Sequence, residues 1–96
     1  MDALSPEERT RYAELIPLLT DSVQQVSELA DGFRFRLRDD AGVFRQTAEW
    51  VTLERRCCPF LRFRLGWEPD GGLFLELKGQ SGIKEFLRAE IPALAG

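Results

Sequence analysis

Cys57 and Cys58 are adjacent, are the only thiols in the 96-residue chain, and are followed by Pro59. A vicinal thiol pair can hold a soft metal ion, carry redox chemistry, or fill a core as two small hydrophobes. Glu54 stands three and four residues before them, so on a helix its carboxylate shares their face. A carboxylate turned inward costs several kcal/mol unless it is paired or used. Its open partners are Arg55, an arginine of a strand, a backbone group, a thiol proton or a metal ion. Trp50 lies one turn before Glu54, and Thr47 one turn before that. The candidate metal ligands are therefore Cys57, Cys58 and Glu54, with Trp50, Thr47 and Arg55 as further candidate site residues. Histidine is absent, which removes the usual general base and the commonest metal ligand. No catalytic residue is assigned, and an enzyme is the least expected reading.

Those residues need a helix to align them. At about 100° per residue, Val43, Phe44, Ala48, Trp50, Val51, Leu53, Cys57 and Cys58 fall in one arc, with Thr47 and Glu54 in its middle. The spacing predicts a helix from about 42 to 57, ended by Pro59, which has no backbone N–H to continue it. A helix C-terminus raises a thiol pKa, whereas Arg55 and Arg56 lower it. Upstream, Ser5, Pro6 and Glu8 form a helix start with a capping box, and Tyr12, Leu15, Ile16 and Leu19 follow at helical spacing. Pro17 is expected to end or kink that helix at Ile16.

Residues 22–29 fit a helix period, but the turn Ala30-Asp31-Gly32 and the alternation from Phe33 to Arg38 point to a β-hairpin, 22–29 with 33–38. Leu61 to Leu65 and Leu73 to Leu77, joined by Glu68-Pro69-Asp70-Gly71-Gly72, predict a second hairpin. Ser81 is expected to cap a last helix carrying Ile83, Phe86, Leu87 and Ile91, with Pro92 closing it. The order α-ββ-α-ββ-α predicts an α+β fold: a four-stranded antiparallel sheet of two hairpins with helices packed on one face. Phe33, Phe35, Leu37, Leu61, Phe63, Leu65, Leu73, Leu75 and Leu77 would face those helices. Arg34, Arg36, Arg38, Arg62, Arg64, Glu76 and Lys78 would form the opposite face, where Glu76 can pair with an arginine across the strands. That face is expected to be solvated, to bind an anion, or to be covered by a second subunit.

A chain of this length is expected to form a single domain, 1–96, burying roughly 65% of its unfolded surface. It is 44% hydrophobic and 30% charged, with a formal net charge of −3. A negative balance argues against a nucleic-acid partner. No apolar run long enough to span a membrane occurs, and the first residues lack the pattern of a signal peptide. A cytoplasmic protein with free thiols is the expectation.

The segment Glu54-Arg55-Arg56-Cys57-Cys58-Pro59-Phe60 resembles that of a group of small bacterial proteins sharing Glu-Arg-x-Cys-Cys-Pro-Phe. The likeness extends to Asp31-Gly32-Phe33-Arg34-Phe35, to Gly71-Gly72 and to Gly79 through Leu87, covering roughly residues 22–88. The resemblance implies no defined activity. It implies Glu54, Cys57 and Cys58 as site residues, and its vicinal cysteines look like those of proteins handling heavy metals and metalloids. Two functions are thus expected: capture of a soft metal or metalloid ion by the thiol pair, or a structural and interaction domain, a homodimer, in which the cysteines pack.

Overall fold

The computed structural model describes residues 3–91 and 94. Ser5 opens helix α1 (Pro6–Ser22) by the expected capping box: the Glu8 N–H donates to Ser5 Oγ at 3.2 Å, and the Ser5 N–H donates to Glu8 Oε1 at 2.9 Å. The remaining elements are β1 (Val23–Leu29), β2 (Gly32–Leu37), α2 (Ala41–Cys57), β3 (Arg62–Trp67), β4 (Leu73–Lys78) and α3 (Ile83–Glu90). The fold is α+β in the order α-ββ-α-ββ-α. The two hairpins join through β2 and β4 into one antiparallel sheet, β1-β2-β4-β3.

The register explains the core. Phe35 stands opposite Leu75, Phe33 opposite Leu77, and Leu37 opposite Leu73, while Phe63 and Leu65 of β3 flank Leu77 and Leu75 from the other side. Alternation sends these side chains to the face that α1, α2 and α3 cover. Leu15 of α1, Val43 and Trp50 of α2, and Ile83 and Leu87 of α3 complete the buried cluster. Each fully buried leucine contributes about 1.5–3 kcal/mol. On the other face, Glu76 is buried among Arg34, Arg64 and Lys78, with Arg34 in direct hydrogen-bonded contact and the other two at 3.7 and 3.8 Å. The cross-strand pairing expected for Glu76 is present.

Two expectations are corrected. Helix α1 does not end at Ile16 but runs through Pro17 to Ser22. Pro17 costs about 3 kcal/mol in a helix interior, but it lies on the exposed side, and the burial of Leu15, Ile16 and Leu19 against the core offsets it. Ser81 does not cap α3: Gly82 holds the N-cap position in the left-handed region, φ 89°, with no side-chain cap. Ile91 is the residue after that helix, and Pro92 lies outside the described residues.

Candidate functional site

Helix α2 is set at both ends by its own sequence. Asp40 Oδ1 accepts from the Gly42 and Val43 N–H groups at 2.7 and 3.1 Å. At the other end, the Cys58 N–H donates to the Glu54 carbonyl at 2.8 Å, the last turn before Pro59. The helix buries Val43, Thr47, Trp50, Leu53 and Glu54, so the inward arc is as the spacing predicts and Glu54 does point inside, 5% exposed.

Among the described residues no ion pair joins an arginine to Glu54. Its Oε2 accepts the Tyr12 hydroxyl at 2.5 Å, and its Oε1 accepts the Cys58 thiol at 3.1 Å. Tyr12 comes from α1, which is also tied to α2 by Arg11–Glu49 at 2.7 Å and by a Glu8–Arg56 ion pair. The site is therefore a carboxylate at a helix–helix junction holding two weakly acidic protons. Sequence reasoning missed Tyr12. Its one signal was an amphipathic side chain, with a polar tip, in the apolar run of α1.

The other candidates divide. Cys58 is buried and Cys57 half-buried, both as free thiols. Arg55 is exposed, away from Glu54, because it follows Glu54 around the helix by about 100°. Thr47 is sealed and spends its hydroxyl on the Val43 carbonyl at 2.8 Å. Trp50 meets Phe63 edge-on at 6.2 Å. Thr47 and Trp50 border a small apolar cavity of about 40 Å³ with Ile16, Leu19, Leu75 and Leu77; neither Glu54 nor the cysteines line it. Among the described residues the Trp50 N–H has no hydrogen-bond partner, although it lies near enough to the Tyr12 oxygen to favour its ionised form slightly.

Burial, followed by the hydrogen bond to Glu54 and its charge, pushes the Cys58 thiol up to about 12. Cys57 is raised as well, by burial first and then by Glu54, and Arg56 only partly opposes this. The Tyr12 phenol is pushed up by burial and then by its bond to Glu54. The balance left open between Arg55, Arg56 and the helix end thus falls on the side of protonated thiols, which are weak nucleophiles near neutrality.

All three groups hold their protons more tightly folded than unfolded, so their contribution to stability is constant below the ordinary thiol value of 9.0 and is lost as pH rises toward about 12. Urea unfolding midpoints followed through that window are expected to drop, and more steeply than in a Cys58→Ala variant. A midpoint that stays level to pH 12 would show that the thiol is not held.

No protein-family model, curated protein or solved structure matches the chain.

Proposed function

We propose that this chain is a small non-catalytic domain that takes up a soft metal or metalloid ion through Cys57 and Cys58. The observation that supports the reading is the condition of Glu54. Its carboxylate is buried, has no cationic partner among the described residues, and is held instead by proton donors, one of them Cys58. An unpaired buried charge costs several kcal/mol. The Glu54 Oε1 already accepts from the Cys58 thiol, so it is the base placed to take the proton that a soft ion displaces there, with the half-buried Cys57 as the accessible thiol. Thiolates select ions such as Cu(I), Hg(II) or As(III) over Mg(II) or Ca(II). Among the described residues no group of three or more His, Cys, Asp or Glu is placed to hold a metal. A closed tetrahedral zinc site is therefore the poorest fit within one chain. The proposed ion is held by two sulfurs, or by four where two copies meet. Among the described residues no helix is long and apolar enough to cross a membrane, and the thiol state suits a reducing, cytoplasmic setting.

Because both thiols are protonated near neutrality, each bound ion is expected to displace two protons, so that affinity rises by about a hundredfold per pH unit. Titration with Hg(II) or Cu(I), followed by thiolate-to-metal absorbance, is expected to saturate at one ion per chain, or at one per two chains if the site is shared. Binding that persists in both Cys57→Ser and Cys58→Ser would overturn the proposal.

One observation favours the second reading, an interaction domain in which the pair packs: Cys58 is only 7% exposed and already serves Glu54 as donor. On that reading no ion is taken up and Cys58→Ala changes stability alone. Phe60, 54% exposed and edge-on to Phe86 beside the cysteines, then forms part of the contact with a second copy.

A further inference from the structure

The sheet face away from the helices carries a second feature, independent of the thiols. Arg34 and Arg36 of β2 stand opposite Ser27 and Gln25 of β1, and these four side chains line a polar hollow of about 100 Å³ whose floor includes Gly72 and Phe74. The cations of this face are spent unequally. Arg34 is tied to Glu68 and Glu76 and lies 4.0 Å over the Phe74 ring. Arg62 pairs with Asp31 at 3.0 Å, and Arg64 and Lys78 with Glu76. Arg36, by contrast, has no carboxylate within ion-pair distance among the described residues.

The position beneath Arg36 is a glycine. A Cβ at Gly72 would lie 3.2 Å from the Arg36 guanidinium, tighter than most contacts of that kind. Asp70 is near, but its Oδ1 already accepts the Gly72 N–H at 2.9 Å, and Glu68 at the rim is engaged by Arg34. The hollow therefore offers an unspent guanidinium fork, a hydroxyl and an amide converging from two adjacent strands, around an arginine immobilised by carboxylates and an aromatic ring.

We infer that this hollow binds a phosphate group, free or carried by a small metabolite. A guanidinium fork matches phosphate oxygens in bidentate fashion. The side chains of Ser27 and Gln25 reach the space from the neighbouring strand, more donors than the two oxygens of a carboxylate can use. The whole chain is acidic, so an anion is held here by directed contacts rather than by a general basic field.

The test is titration of the isotopically labelled chain with inorganic phosphate and, separately, with adenosine monophosphate, read from the Arg36 Nε–H, Ser27 and Gln25 resonances. Saturable shifts confined to the hollow are expected, with affinity falling about tenfold or more in Arg36→Gln and unchanged in Arg62→Gln, which alters the same face outside the hollow. Arg36 is exposed, so Arg36→Gln leaves the fold intact, as circular dichroism would verify. Tighter binding of the ester marks a carried phosphate, and equal binding marks the free ion. Absence of saturable binding by either probe, or equal losses in Arg36→Gln and Arg62→Gln, overturns the inference.

Discussion

Tyr12→Phe is expected to lower the stability of the domain by about 2 kcal/mol while leaving its packing unchanged. The ring stays, and only the hydroxyl that donates to Glu54 at 2.5 Å is lost. A hydrogen bond to a charged group is worth about 1.5–3 kcal/mol, because removing one partner leaves the other buried and unsatisfied. Here the remaining donor is a thiol, a weak one. Glu54→Gln tests the other side of the same contact. It removes the charge but keeps the shape, so its cost is smaller than that of Glu54→Ala. The double variant is expected to be less destabilised than the sum of the two, since the residues touch. Glu54→Gln also removes the carboxylate's charge, one cause of the elevated Cys58 value, and leaves burial, the first, while the amide oxygen can still accept from the thiol. The thiol should then ionise below about 12 but above its ordinary value, as measured by thiolate absorbance against pH. Additive costs, or a Tyr12→Phe variant as stable as the parent, would show that Glu54 is not held from α1.

What was legible in the sequence followed from local periodicity. Alternation from Phe33 to Arg38 and from Arg62 to Leu65 sorted the sheet into an apolar and a charged face, and the helical period placed Glu54, Cys57 and Cys58 inside. Those periods left Arg55 and a strand arginine open as partners for Glu54, and among the described residues neither is one. The strand arginines lie on the face turned away from α2, and Arg55 follows Glu54 around the helix toward solvent. Tyr12 was not legible, because it is separated from Glu54 by 42 residues and reaches it only through the docking of α1 on α2. That docking depends on how Leu15, Ile16 and Leu19 settle on the core, and the same burial carries α1 past Pro17. The missed cap at Ser81 is a local competition of another kind: Gly82 adopts φ 89° without the Cβ penalty and takes the N-cap position, leaving Ser81 outside the helix.

Gly32→Ala is expected to be among the most damaging single-methyl changes in the molecule, costing about 3 kcal/mol or more against a typical domain stability of about 5–15 kcal/mol. Gly32 begins β2 in the interior of the sheet, paired with Leu29 on one side and Lys78 on the other. Its φ is not positive, so conformational freedom is not the reason for a glycine here. The reason is close approach: a Cβ would stand 1.9 Å from the Leu77 carbonyl oxygen and 2.8 Å from the Lys78 Cα. Those are backbone atoms of the neighbouring strand, which cannot swing aside as a side chain does. Relief requires β2 and β4 to part at the pairing that brings Phe33 against Leu77, and both residues belong to the core. Gly66→Ala supplies the control within the same sheet. A Cβ there meets only the Phe74 ring, at 3.6 Å, an ordinary contact, and alanine restricts the unfolded chain, so the change is expected to be neutral or stabilising by up to about 1 kcal/mol. Urea denaturation of the two variants should give midpoints displaced in opposite directions, or one lowered and one level, with similar slopes. Equal midpoints would mean that β2 and β4 do not approach as closely at Gly32 as the register requires.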